Sequence, residues 1–179
     1  GAVQPAFDPA HRNPCPEPPY ALGGEGVGVV DACGSGWLAR RLQGRRVAVA
    51  GVPPNGTWQE YVVVDARRAV ALPASIDDEQ GAMFFVNPLT AHALVREVLK
   101  VRRGDWLLLT AAGSALAKDI VRLGRRDGFR SLCVVRREAQ VQELLALGAD
   151  AVVSTDRHDL PTEVARLTAG QGVRHALDC

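Results

Sequence analysis

The sequence predicts an α/β chain: an all-β segment followed by an incomplete, doubly wound parallel sheet. Three observations predict it. From Ala21 to about Ser75, short apolar runs are broken by Gly and Pro, the pattern of strands joined by turns. From Gly104 onward, apolar runs alternate with amphipathic segments in β-α-β-α-β-α-β order, which a parallel sheet with helical crossovers requires. Trp106–Thr110 is continuously apolar, as expected of a central strand buried on both faces.

In chain order, residues 1–20 are Pro-rich and irregular. VGVV (27–30), RVAVAGV (46–52) and EYVVV (60–64) read as strands, with PPNG (53–56) as a turn between the last two. Ile76-Asp77-Asp78-Glu79 places acids where a helix N-terminus favours them. Leu94, Val95, Val98 and Leu99 continue at helical spacing, so two helices joined near Val86-Asn87-Pro88 are expected. After strand Trp106–Thr110, Ser114 is placed to cap a helix whose inward face is Leu116, Ile120 and Leu123, ended by Asp127-Gly128. Ser131–Val135 is the next strand. Ala139–Leu147 is a helix with Val141, Leu144 and Leu145 inward, stopped by Gly148. Ala151–Ser154 is a strand, Pro161 suits the first turn of a third helix, and Gly170 follows its end. Val173–Cys179 is the fourth strand of this sheet. A sheet ending there has an uncovered edge, so either a fragment is expected or the missing half comes from somewhere else.

Composition narrows the function classes. The 179 residues are 47% apolar and 23% charged, with a formal net charge of +1. That balance gives no bulk attraction to nucleic acid or to an anionic membrane. No apolar run reaches the length of a bilayer span, and the N-terminal residues do not form a signal peptide. The four cysteines, Cys15, Cys33, Cys133 and Cys179, form no CxxC pair. A structural zinc knuckle is therefore not expected, and a reducing, cytoplasmic compartment fits. Arg-Arg pairs begin at positions 40, 45, 67, 102, 125 and 136; most read as solvated faces.

The segment between the first two parallel strands carries the chemistry. A helix N-terminus offers unpaired N–H groups and a positive dipole end to a pyrophosphate. Small residues let the phosphate approach the backbone, and Ala111-Ala112-Gly113-Ser114-Ala115-Leu116-Ala117 keeps such a surface with a single glycine. Alone, the motif fits a plain strand–helix turn equally well. At the end of the second parallel strand, Arg136 and Arg137 stand where an NAD site usually carries an acid for the ribose hydroxyl. Two guanidinium forks suit a 2′-phosphate, which selects NADPH.

The ordered motifs GGEGVGVV (23–30), GTWQEYVVV (56–64), FVNPLTAHAL (85–94), GDWLLLTAAGS (104–114), VVRRE (134–138), LLALGADAVV (144–153) and ALDC (176–179) resemble the medium-chain dehydrogenase/reductase superfamily. The likeness is to its zinc-independent quinone oxidoreductases and trans-2-enoyl thioester reductases. It implies a GroES-like β domain over 1–80, lacking its N-terminal strands. It also implies a Rossmann NAD(P)-binding domain over 81–179, with only its first four strands. The active site would lie in the cleft between them. By that comparison the chain is the middle part of a longer enzyme, whose full-length form could be a homodimer.

The resemblance also proposes roles. Ala111, Gly113, Ser114, Ala115 and Leu116 would face the pyrophosphate, and Arg136 and Arg137 the adenosine phosphate. Family members usually keep glycine at Ala115 and Ala117, so Ala115 would crowd the phosphate if its backbone needs positive φ. Asn87 and Thr90 would approach the nicotinamide, or else cap and turn the chain around Pro88. Trp58 would face the substrate cleft, or else be a core aromatic. Cys179 would border the nicotinamide. Zinc-dependent members carry Gly-His-Glu where this chain has Gly23-Gly24-Glu25, so no metal is expected and Glu25 reads as structural. The tyrosine proton donor of enoyl reductases has no match: Gln4-Pro5-Ala6-Phe7 is a poor version of its flanking stretch, Tyr20 lies too near the glycine motif, and His11 reads as solvated. The catalytic residue is thus unassigned.

Three functions remain. One is NADPH-dependent reduction of the C=C bond of a 2-enoyl thioester, with hydride to the β-carbon and a proton to the α-carbon. The second is NADPH:quinone reduction, which needs no proton donor from the protein. The third is a non-catalytic nucleotide-binding fragment.

Overall fold

The structure is a computed structural model, and it describes residues 19–50 and 56–179. The expected turn at Pro53–Asn55, the early stretch Gln4–Phe7, and His11 and Cys15 lie outside the described residues. The chain divides into two compact units, Gly1–Val86 and Asn87–Cys179.

The first unit holds an antiparallel meander: β1 (Glu25–Val29), β2 (Arg46–Ala50) and β3 (Ala69–Ala71). Gly26 opposes Val49, Val27 opposes Ala48, and Ala48 opposes Val70. Leu42, Val47 and Val49 form its small core, with Val30, Val64 and Ala69 packed against them. Two expectations are corrected here. Among the described residues EYVVV (60–64) joins no ladder, and the third strand is Ala69–Ala71. Its side chains still alternate, Tyr61 and Val63 exposed and Val62 and Val64 half-buried. The region is also not all-β: Trp37–Leu42 forms a short helix, α1. Leu38 and Leu42 lie four apart and turn toward the sheet, while Arg40 and Arg41 stay exposed.

α2 (Asp78–Ala82) is capped by Asp77, whose carboxylate accepts from Gln80 N–H at 2.7 Å. Arg46 ties β2 to the approach of that helix through Asp78 at 3.0 Å and the Pro73 carbonyl at 3.2 Å. α3 (Val86–Ala93) continues into a π-helical turn, Leu94–Val98. Pro88 sits in its first turn, where its missing N–H removes no helical bond.

The second unit is a four-stranded parallel sheet in the order β6-β5-β4-β7: β4 (Trp106–Thr110), β5 (Arg130–Val135), β6 (Ala151–Ser154) and β7 (His175–Asp178). Its strand order explains its chemistry. The chain steps outward from β4 to β5 to β6, then crosses to place β7 on the other side of β4. The order therefore reverses at β4, and ligands of such sheets gather outside the carboxyl ends of the strands at that point.

Both faces of the sheet are covered. Leu107, Leu109, Cys133 and Val135 face one core, with Val95 before the sheet, Ala117, Ile120 and Val121 from α4 (Ala115–Asp127) and Leu144 from α5 (Val141–Leu147). The alternate residues Leu108, Leu132 and Val134 face α6 (Leu160–Leu167) through Leu160, Val164 and Leu167. Strict alternation with helices on either side is the doubly wound arrangement. Cys133 is a buried apolar filler, and burial pushes its thiol up to about 12.

The inward face of α4 is as expected, with Ile120 buried and Leu116 and Leu123 packed against the same core, and Ala117, Val121 and Gly124 buried beside them; one face of α5 is not. Small residues at 117 and 124 let α4 lie close, and a Cβ on Gly124 would stand 3.0 Å from the Phe129 ring. On α5, Leu144 is buried but Leu145 is 42% exposed. Leu145 stands about 100° round the helix from Leu144, past the edge of the buried face.

Candidate nucleotide site

The β4–α4 loop and the end of β5 enclose an open pocket of about 560 Å³. Its lining is Ala111, Ala112, Gly113, Ser114, Val135, Arg136, Arg137 and Gln140. It lies at the carboxyl ends of β4 and β5, beside the reversal of strand order.

Local chemistry builds the loop. Ala112 N–H donates to the Val134 carbonyl at 3.1 Å, tying it to β5. Ser114 N–H donates to the Ala111 carbonyl at 2.9 Å and closes the turn. Ser114 then caps α4, its Oγ accepting from Ala117 N–H at 3.2 Å. The first turn of α4 carries no acidic residue, so no side chain there offsets the positive end of the helix dipole. Lys118, in the second turn, pairs with Glu143 of α5.

The backbone strain falls elsewhere than expected. Ala115 is the first helical residue and takes ordinary helical geometry, so it does not require glycine. Ala111 carries the positive φ, at 44°. Gly113 is not among the positive-φ residues. A Cβ there would meet the Nε2 of Gln140, the movable end of a flexible side chain, so neither φ nor packing requires glycine at this position.

Arg136 and Arg137 follow β5 directly, are exposed, and form no ion pair among the described residues. Their backbone is fixed where their side chains are free. The Arg136 carbonyl accepts from Ser154 Oγ at 3.0 Å, and the Arg137 carbonyl accepts from Gln140 N–H at 3.1 Å. Most other arginine pairs are solvated, and several are engaged, as Arg67 is with Asp65 and Arg126 with Asp127.

The pocket thus gathers Ala111, Gly113, Ser114, Arg136 and Arg137 from the expected set. Ala115 and Leu116 come next on α4 but do not line it, and Leu116 packs toward the core. Asn87, Thr90 and Cys179 are also outside the lining. Asn87 and Thr90 lie three apart on α3, half-buried, with no side-chain hydrogen bond among the described residues. Asn87 is therefore not a cap. The carboxylate of Glu25 does that work, accepting from Phe85 and Val86 N–H at 3.0 Å each. Cys179 is half-buried against the core, and burial raises its thiol pKa, with Asp178 adding to the shift. Trp58, in the first unit, is 64% exposed, which excludes a core aromatic. Sequence reasoning misses Gln140. Its only signal is position, three residues after Arg137 at the start of a helix.

Among the described residues no cluster of three or more His, Cys, Asp or Glu could hold a metal. No helix there is long and apolar enough to cross a membrane.

Fold and site define a dinucleotide-binding type of α/β unit preceded by an antiparallel β unit. A family profile described as the alcohol dehydrogenase GroES-like domain matches residues 6–74. The mitochondrial enoyl-[acyl-carrier-protein] reductase of Schizosaccharomyces pombe is 27% identical over 188 residues, covering 99% of this chain and 50% of that one. A candidate NADPH:quinone reductase from Bacillus thuringiensis is 40% identical with a TM-score of 0.82, over 93% of this chain and 49% of that one. The Escherichia coli quinone oxidoreductase, complexed with NADPH, is 27% identical with a TM-score of 0.78, over 91% and 49%. The chain thus spans about half the length of these relatives. These likenesses, with the GroES-like β part and the Rossmann-like parallel sheet, support a member of the medium-chain dehydrogenase/reductase superfamily.

Proposed function

We propose that this chain carries the cofactor site of a zinc-independent, NADPH-dependent oxidoreductase that reduces the C=C bond of a 2-enoyl thioester. The observation that carries the reading is the pairing of two unengaged guanidinium groups, Arg136 and Arg137, with a Ser-capped helix end in one pocket. The fit is chemical: cationic forks for a 2′-phosphate, free N–H groups for a pyrophosphate, and small side chains between them. Bound there, the dinucleotide would supply the hydride.

The chain's own residues bind and orient. Arg136 and Arg137 hold the adenosine phosphate, residues 111–116 present the backbone to the pyrophosphate, and Asn87 and Thr90 serve the nicotinamide side with Cys179 near it. Trp58 contacts substrate. Glu25 is committed to the α3 N-terminus, which supports a role without zinc. The enoyl thioester is favoured by the reductase from Schizosaccharomyces pombe, similar over 99% of this chain. Quinone reduction is the second reading, favoured by the names of the two structural relatives.

The test is titration with NADPH and NADH, followed by nicotinamide fluorescence. Saturable binding that favours NADPH is expected, and Arg136→Ala/Arg137→Ala should erase about ten-fold or more of that preference. Equal affinity for both nucleotides would overturn the NADPH assignment. Binding of neither would overturn the cofactor site. NADPH oxidation with a trans-2-enoyl thioester against a quinone then separates the two substrate readings.

A further inference from the structure

Two distant segments of the first unit meet at one residue, Glu25, which opens β1. One oxygen of its carboxylate accepts from the backbone N–H groups of Phe85 and Val86, at 3.0 Å each and 60 and 61 residues along the chain. Phe85 precedes α3 and has no polar side chain with which to cap it, so the anion at the start of that helix comes from β1. The backbone of Glu25 is itself held. Its carbonyl accepts from Thr57 Oγ1 at 2.6 Å. On either side of Thr57, Gly56 N–H donates to the Ala21 carbonyl at 3.0 Å and Trp58 N–H to the Leu22 carbonyl at 2.8 Å. The two backbones lie so close that a Cβ on Gly56 would overlap the Ala21 and Leu22 carbonyls, which cannot swing aside as a side-chain end can. Asn87 and Thr90 follow on the helix that Glu25 starts.

We infer that Glu25 is a positioning residue for the reaction: fixed by the Thr57 loop, its carboxylate sets the start of α3, and through it the place of Asn87 and Thr90 on the nicotinamide side. The roles of Asn87 and Thr90 belong to the cofactor reading above, on which the positioning role rests; the hold on Phe85 and Val86 stands without it. Glu25 is given no contact with substrate or cofactor and acts only through the helix. An anionic acceptor suits the task, because hydrogen bonds to a charged oxygen are stronger than those to a neutral one. The two ends of NADPH separate positioning from general weakening. Its adenosine end belongs to the arginine pocket, so only its nicotinamide end should depend on Glu25. The fragment 2′-phospho-ADP-ribose keeps the first end and lacks the second.

The experiment uses the 179-residue chain with Glu25→Gln and Glu25→Ala. Amide exchange at Phe85 and Val86 is followed by NMR without nucleotide, and NADPH and 2′-phospho-ADP-ribose are titrated by calorimetry. Both amides are expected to be protected in the parent, to exchange faster in Glu25→Gln, and to exchange fastest in Glu25→Ala. Glu25→Ala should weaken NADPH about ten-fold and leave 2′-phospho-ADP-ribose unchanged. Glu25→Gln keeps the shape and a neutral acceptor, so its NADPH affinity should fall between the other two. If Glu25→Ala fails to fold, Glu25→Gln decides both points by the same readings. Amides 85 and 86 exchanging alike in the parent and the variants would overturn the hold. Equal weakening of both ligands, or of neither, would overturn the positioning role, as would a parent that binds NADPH no more tightly than the fragment. If the parent bound neither ligand, the cofactor reading and the positioning role would fall together, while amide exchange would still decide the hold.

Discussion

Ala111 is the residue where the nucleotide loop departs most from local comfort. Its φ of 44° lies in the left-handed region, which costs an L-residue roughly 1–2 kcal/mol. Glycine removes that strain but loses more chain entropy on folding, about 0.5–1 kcal/mol. Ala111→Gly is therefore expected to stabilise the chain by about 0.5 kcal/mol, raising the thermal midpoint by roughly 1–2 °C. A lower midpoint would mean that the methyl group packs usefully in spite of its geometry. At the far end of α4, Asp127 titrates below its ordinary value of 3.8, because Arg126 donates to its carboxylate and Arg96 adds a second contact. A depressed folded-state value stabilises the protein fully above about pH 4, and the contribution is lost as pH falls through the folded value. Asp127→Asn should consequently be less stable than the parent at neutral pH, with the gap closing in acid unfolding curves below about pH 4. A gap that stayed constant with pH would refute the ion-pair origin.

Among elements, α5 separates what local pattern specifies from what packing decides. Leu144 and Leu145 have the same composition and adjacent positions, yet one is fully buried and the other 42% exposed. Leu144→Ala should cost about 2–5 kcal/mol in denaturant unfolding. Leu145→Ala should cost well under 1 kcal/mol, since little of its surface leaves water. Equal losses would restore the face expected from spacing. The parallel sheet is legible in the sequence because its signals are local: the apolar run 106–110, the Ser114 cap, and Gly128 and Gly148 at left-handed helix ends with φ 83° and 110°. The width of the buried face of α5 is not legible, because spacing alone does not say how far round the helix the packed neighbours reach. The site shows the same division. Arg136, Arg137 and the small-residue loop can be placed from the order of elements. Gln140 cannot, since its approach to Gly113 joins positions 27 apart through a parallel pairing.

Strand pairing has a consequence at the scale of the whole molecule. Leu107–Leu109 lie in a central strand with ladder bonds on both sides, and Leu132–Val135 pair with β4 and β6. Tyr61–Val64 have alternation and exposure but no ladder among the described residues. Backbone amides exchange with solvent at rates set by the opening that frees them, so ladder bonds and burial together determine protection. Hydrogen exchange of the full chain should show strong protection at 107–109 and 132–135 and nearly none at 61–64. Nucleotide adds a second, independent expectation. The pocket is built entirely within the second unit, on the ends of β4 and β5. A ligand that binds only the folded unit stabilises it by about 2.7 kcal/mol at a hundred times its Kd. Where exchange proceeds through global unfolding of that unit, NADPH at such a concentration should slow amides 107–109 and 132–135 about a hundred-fold. Protection that rose at 61–64 without rising in β4 and β5 would place the nucleotide elsewhere, and the pocket at the end of β4 would lose its assignment.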